Sequence, residues 1–202
     1  EKMLLYSDTL IYLKAISTDT PAYDALVSTA SFASRVICGG LERQLLMRGV
    51  IAIGEIFHNK EPYSIAGPAV NEAAKHYEIG DWIGCHLAPS AVGVLEKVPE
   101  DRRCRTYSWF SKYNMPVVTR TGEVIFSQQW GLRWLEKRCE CISEYAKYLN
   151  SGDLASCVMA ARESGANEAD ATRQFYIDNM RRYAANNPKA KTKVDNTLAL
   201  YS

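Results

Sequence analysis

Asn71 and Lys75 stand four residues apart in the stretch Gly67-Pro68-Ala69-Val70-Asn71-Glu72-Ala73-Ala74-Lys75. Gly-Pro stops an extended segment, and proline presets φ for a first helical turn. A helix is therefore predicted from Pro68, with Val70, Ala73, Ala74 and Tyr77 on one face. Residues four apart are neighbours on a helix. An amide and an ammonium would then project side by side from the helix start, an arrangement suited to a phosphate or a sugar. Two histidines are further candidates for chemistry. His58 lies in the polar stretch His58-Asn59-Lys60-Glu61-Pro62, which reads as a loop, and it could act as a base. His86 is flanked by apolar residues and reads as a core histidine.

Several elements must position these groups. Arg48-Gly49-Val50-Ile51-Ala52-Ile53-Gly54-Glu55 is a short apolar run between glycines and reads as a buried strand. Tyr63-Ser64-Ile65 reads as a short strand returning to the sheet. Met3-Leu4-Leu5-Tyr6 and Thr9-Leu10-Ile11-Tyr12-Leu13 are β-rich runs separated by Ser7-Asp8, which predicts a hairpin with that pair at its tip. Residues 20–48 carry a helix-period stripe of Leu26, Ala30, Ala33, Ile37, Leu41 and Leu45. Thr20 is the expected N-cap and Pro21 the first helical residue. Gly39-Gly40 predicts a kink, or two helices end to end.

In order and spacing, these segments resemble the class III nucleotide cyclases, the adenylate and guanylate cyclase family. The strand resembles that family's R-x-G-I-x-x-G, and the helix its G-x-x-V-N-x-A-x-R segment. The likeness covers roughly residues 3–96. It is nearest to short stand-alone bacterial cyclase-like proteins with an S-D hairpin, R-G-x-I-x-I-G-E and G-P-A-V/I-x-E-A, such as the pyrimidine cyclases of the Pycsar anti-phage systems.

The resemblance implies roles. Asn71 would orient the ribose, and Lys75, at the position of the family's arginine, would offset charge on the phosphate. Asp8 falls on a hairpin aspartate that binds catalytic Mg²⁺ or Mn²⁺, ions that prefer hard oxygen ligands. The family's other metal aspartate sits in an F-x-D-I-x-G-F pattern with no counterpart in these 202 residues. The purine-reading lysine and aspartate of the family are replaced by Leu4 and Ser64. With Tyr6 narrowing the pocket, Leu4 and Ser64 would bind the base, and the loss of both charges points to UTP or CTP. Lys for Arg gives up a planar fork for a point charge. The implied reaction makes a 3′,5′-cyclic nucleotide and pyrophosphate, as an alarm signal in anti-phage defence, and the implied assembly is a head-to-tail homodimer. The alternative is a catalytically silent cyclase-fold protein that binds a nucleotide or a partner.

Composition bounds these readings. The net charge of +1 gives no electrostatic basis for nucleic-acid binding. A hydrophobic fraction of 47% supports a packed core, and no apolar run approaches the roughly 20 residues of a membrane span. No signal-peptide pattern opens the chain, so a cytoplasmic protein is expected. The six cysteines form no C-x-x-C, and Cys139 and Cys141 would point to different helix faces, so free thiols and no zinc are expected.

Downstream, residues 81–87 read as a strand, Pro89 or Ser90 opens a short helix through Leu95, and 99–103 is a charged loop. Further strands are expected at 105–110 and 117–126, with Gly122 at a turn. A helix is expected from Trp130 to about Leu149, then helices at 153–164 and 167–185 around Gly165. The tail from Asn186 reads as extended or disordered. The fold expected is α/β (α+β), a ferredoxin-like cyclase core at residues 1–130 followed by a helical extension at 131–202.

Overall fold

Runs of β-branched and aromatic residues broken by small polar pairs form the first element. β1 (Lys2–Tyr6) and β2 (Thr9–Leu13) pair antiparallel, with Leu4 opposite Ile11 and Tyr6 opposite Thr9. The computed structural model describes residues 1–6, 9–60, 63–119, 121–142 and 152–201, so the expected tip at Ser7-Asp8 lies outside the described residues. The hairpin leans on the following helix through Tyr12, which stacks on Phe32 with ring centroids 4.1 Å apart.

That helix, α1 (Ala22–Leu41), buries Leu26, Ala30, Ile37 and Leu41 of the expected stripe, but it ends at Leu41 and not near residue 48, and Leu45 is exposed beyond it. Thr20 does not cap it. Thr20 and Ser17 exchange backbone hydrogen bonds in a turn of their own, and Pro21 occupies the cap position. Nor does Gly39-Gly40 divide the helix, which runs through both glycines. A Cβ on Gly40 would stand 2.6 Å from Met47 Cγ. Glycine there lets the returning chain pass close to the helix end.

The main sheet has four strands in the order β3-β6-β8-β7. β3 (Arg48–Ile51) and β6 (Gly84–Leu87) are parallel, and β7 (Phe110–Val118) and β8 (Val124–Leu132) form a long antiparallel hairpin. β8 joins β6 at His86 opposite Gly131. Successive side chains alternate between sheet faces. Ile51, Ile83, Cys85 and Leu87 enter the main core, while His86 on β6 belongs to the other face. Between β3 and β6 the chain makes a second hairpin, β4 (Phe57–Lys60) with β5 (Tyr63–Ala66), and then α2 (Pro68–Tyr77). Of the loop expected at 58–62, His58, Asn59 and Lys60 are strand, with Asn59 opposite Ser64, and Glu61 and Pro62 lie outside the described residues.

The second half departs further from expectation. α3 (Pro89–Glu96) follows β6 as foreseen, but the stretch expected as a charged loop and then a strand is a helix, α4 (Glu100–Tyr107). It buries only Thr106, so it has no apolar period to read. Its support is in part electrostatic, with Glu100 and Asp101 at the positive end and Arg105 in the last turn, and in part the edge-on contact of Tyr107 with Trp130. Trp130 belongs to β8, because the β7 ladder continues to Phe110 opposite Leu132. The next helix, α5 (Trp134–Glu140), starts only after it.

α6 (Asp153–Ser164) and α7 (Glu168–Asn186) flank Gly165, which adopts the left-handed conformation at the first helix's end. Asn167 caps α7 by accepting from the Ala169 and Asp170 N–H groups. The tail expected to be extended is instead a 3₁₀ turn and a helix, α8 (Lys191–Leu200). Two buried positions hold α8, Val194 and Thr197, and the Thr197 hydroxyl accepts from the Ile83 N–H at 2.8 Å.

The described chain is thus mixed α and β, and one core runs through both halves. Trp134, Tyr176, Met180 and Val194 from the C-terminal helices pack in the same cluster as Leu26, Leu87 and Leu132. A polar tie crosses its edge. The Tyr176 hydroxyl donates to Glu42 at 2.6 Å and accepts from Arg138 Nε at 3.2 Å, joining the end of α1, α5 and α7. Burial pushes the Tyr176 hydroxyl far above its ordinary range, and the neighbouring Glu42 carboxylate adds to this. Among the described residues no helix is long and apolar enough to cross a membrane.

Candidate functional site

Gly67 sets the entry into α2. Its φ is +133°, and a Cβ there would stand 2.4 Å from the Glu55 carbonyl oxygen, so only glycine fits. Pro68 then opens the helix, and the Asn71 N–H closes its first turn on the Gly67 carbonyl at 3.0 Å. The buried line of α2 differs from the apolar face expected. It runs Ala69, Glu72, Ala73, His76, with Ala69 fully buried and the others half-buried, while Ala74 and Tyr77 are exposed. The spacing is still i, i+3, i+4, i+7, but two of its members are ionisable. Ala69 sits against Gly54, where an added Cβ would come within 3.4 Å of the Ala69 Cβ. Arg48 of β3 lies 4.5 Å over the Tyr77 ring and donates to the Gly80 carbonyl at 3.4 Å.

On the outer side of α2, Asn71 and Lys75 are both exposed, one turn apart. Of the residues singled out in the sequence, these are the two that the fold demonstrably brings together. Asp8 lies outside the described residues, as does the side chain of Tyr6. Leu4 is buried in β1, 5% exposed, and Ser64 is exposed in β5. The two hairpins that carry Leu4 and Ser64 are separate two-stranded sheets with no shared ladder. His58 is half-buried in β4 rather than exposed in a loop.

His86 is a core histidine, as expected, 5% exposed. Burial pulls its imidazole down to about 4, and the neighbouring His76 ring adds to this, against a smaller opposing pull from the His76 backbone. It is neutral at pH 7 and is no acid–base candidate there. Cys38 and Cys85 are buried, and burial pushes both thiols up to about 12, so neither is a nucleophile near neutral pH.

Sequence reasoning missed one cluster at this site. The Glu72 carboxylate accepts from the Ser90 N–H at 3.0 Å through Oε1 and from the Ser90 hydroxyl through Oε2. The same hydroxyl accepts from the Ile53 N–H at 2.8 Å. Ser90 is the second residue of α3, so Glu72 also faces the positive end of that helix. The available signal was positional. Glu72 falls three residues after Ala69, on the line that must face the protein.

Among the described residues, no three His, Cys, Asp or Glu side chains converge as a metal site would need. A groove of about 420 Å³ between the β7–β8 hairpin and α8, lined in part by Lys112, Asn114, Phe126 and Asn196, contains none of the expected site residues. No family model, no curated protein and no solved structure matches the chain.

Proposed function

We propose that this chain is a nucleotide cyclase of the class III kind, which converts UTP or CTP into the 3′,5′-cyclic nucleotide and pyrophosphate. One observation carries the reading: α2 presents Asn71 and Lys75 together and exposed, at the spacing that motivated the resemblance, on a helix whose entry and buried face are tightly fixed. The order of elements supports it too: a hairpin, a long helix and the Arg48 strand precede the Asn71 helix, with the β4–β5 hairpin between the last two.

In this reading the Asn71 amide holds the ribose, and its paired donor and acceptor suit a hydroxyl. The 3′-hydroxyl gives its proton to solvent as its oxygen bonds to the α-phosphorus, the bond from that phosphorus to the α,β-bridging oxygen breaks, and pyrophosphate leaves. Lys75 sits where negative charge accumulates on the phosphoryl oxygens. Most of the acceleration in such transfers comes from positioning and charge stabilisation. A Mg²⁺ or Mn²⁺ ion would supply Lewis acidity at the phosphates. Its expected ligand Asp8 lies outside the described residues, so no step here is routed through the ion. The positions the resemblance assigns to the base, Leu4, Tyr6 and Ser64, offer none of the charges that read a purine, but Leu4 is buried and lies on a different hairpin from Ser64, so the missing charges alone support the choice of base. A homodimer belongs to the reading, because the resemblance divides the site between two chains.

A second reading is a silent cyclase-fold protein that binds a nucleotide or a partner. Leu4, Ser64 and Lys75, which stand where the family has its purine-reading charges and its arginine, favour it. Incubation with each of the four ribonucleoside triphosphates and Mn²⁺, with products separated by chromatography, decides between the two. Cyclic UMP or cyclic CMP is expected, lost in Asp8→Asn and Lys75→Ala. A cyclic purine nucleotide as main product would refute the choice of base. No cyclic product from any nucleotide would refute the cyclase reading in favour of the silent one.

A further inference from the structure

We infer that Glu72 is a positioning residue for the Asn71–Lys75 pair, acting through Ser90, and that its carboxylate never touches the substrate; this rests on the cyclase reading of that site. Glu72 lies on the protein side of α2, while Asn71 and Lys75 lie on the outer side. Its two oxygens are both engaged by Ser90, one by the N–H at 3.0 Å and one by the hydroxyl. The Ser90 hydroxyl in turn takes the Ile53 N–H at 2.8 Å, just beyond the end of β3. Three elements therefore meet at one hydroxyl: α2, the start of α3 and the chain leaving β3. Close packing at this end of α2 includes small contacts, Ala69 against Gly54 and Gly67 against the Glu55 carbonyl. Small contacts set a distance but resist rotation of the helix poorly. A bidentate carboxylate resists rotation, because turning α2 about its axis breaks both bonds together.

The choice of glutamate follows from the donors. Glutamine can still accept from the Ser90 N–H through its carbonyl oxygen, and its amide can donate to the Ser90 hydroxyl, which has two acceptor sites. Aspartate is one methylene too short to hold both bonds with the helix in place. Alanine leaves the Ser90 groups without this partner. A carboxylate working on a metal or a proton would show the opposite order, because glutamine can do neither task.

The experiment measures kcat and KM with Mn²⁺ and the preferred nucleotide for wild type, Glu72→Gln, Glu72→Asp, Glu72→Ala, Ser90→Ala and the Glu72→Ala/Ser90→Ala double variant. Hydrogen exchange of the α2 amides is followed in the same proteins. Misplacement of reacting groups by about 1 Å costs on the order of 100-fold. Glu72→Ala and Ser90→Ala are each expected to lower kcat by roughly 10- to 100-fold with little change in KM, and the double variant by no more than the worse single. Glu72→Asp should resemble alanine, and Glu72→Gln should stay within a few-fold of wild type. The α2 amides should exchange faster in the alanine variants and at the wild-type rate in glutamine. A Glu72→Gln enzyme as impaired as Glu72→Ala, with unchanged exchange, would overturn the inference and make the carboxylate a direct participant. If wild type forms no cyclic nucleotide, the cyclase reading fails by itself. Exchange then still judges the tie, and unchanged α2 exchange in Glu72→Ala would overturn it.

Discussion

His86 should make the stability of this protein depend on pH in a window where ordinary histidine-free cores show little change. Its imidazole is held neutral down to about 4, against an ordinary value of 6.5. Unfolding exposes the ring, which then takes up a proton at any pH below 6.5. Between pH 6.5 and 4 the unfolded chain therefore binds the extra proton and the folded chain does not, so stability is complete above 6.5 and falls as the solution is acidified. Each pH unit in that window is worth about 1.4 kcal/mol, which gives roughly 3 kcal/mol across it. That is a large share of the roughly 5–15 kcal/mol by which domains are stable. Carboxylates also lose favourable partners in acid, Glu1 with Lys14 and Glu168 with Arg162 among them, so the wild-type curve alone does not isolate the histidine. His86→Leu does, because it removes one titrating group of similar bulk and leaves the carboxylates in place. The assay is urea unfolding of both proteins at half-unit steps from pH 7 to 4.5. The stability of His86→Leu relative to wild type should rise by about 1.4 kcal/mol for each unit below pH 6, whatever the offset at pH 7. Parallel curves would refute the reasoning, since they would mean that the folded protein protonates His86 as readily as the unfolded one.

Tyr176→Phe removes the hydroxyl that Glu42 and Arg138 share and should cost about 1–2 kcal/mol in urea unfolding; no loss would mean that the three-way tie adds nothing net. Thr197→Val leaves the Ile83 N–H unpaired inside the protein and should cost about 1–3 kcal/mol, whereas Thr197→Ser should stay near wild type; equal losses in both would make the methyl group the important part. With a disulfide reagent under native conditions, exposed Cys104 should react first and Cys38 and Cys85 only on unfolding, and Cys104→Ser should remove the fast phase; its persistence would place a second thiol at the surface.

Where local chemistry determines an element, the sequence displays it. The Pro68 helix, the Pro89 helix and the helices around Gly165 all carry a start or stop residue at the observed place. The β1–β2 hairpin and the stripe of α1 follow from apolar spacing alone. The misses lie where support comes from elsewhere in the chain. α8 has two fully buried positions, and one is a threonine that accepts from the N–H of Ile83, just before β6 and more than a hundred residues away. α4 has almost no buried face at all. Gly39-Gly40 reads as a break between two helical stretches; α1 instead ends one residue later, at Leu41, and Gly40 leaves the space that Met47 needs. At the candidate site, Asn71 and Lys75 were legible because they are exposed and four apart. Glu72 and Ser90 were not, because their contact spans eighteen residues and two helix starts.

The division of labour on α2 decides what mutations there can reveal. Asn71 and Lys75 are exposed, so truncating either should change stability by only a few tenths of a kcal/mol. The opposite side of the helix carries Ala69, Glu72 and His76, and the helix entry requires Gly67, so changes there alter the fold and the site together. A loss of activity in Lys75→Ala at unchanged melting temperature is therefore evidence about chemistry, whereas the same loss in Gly67→Ala is not.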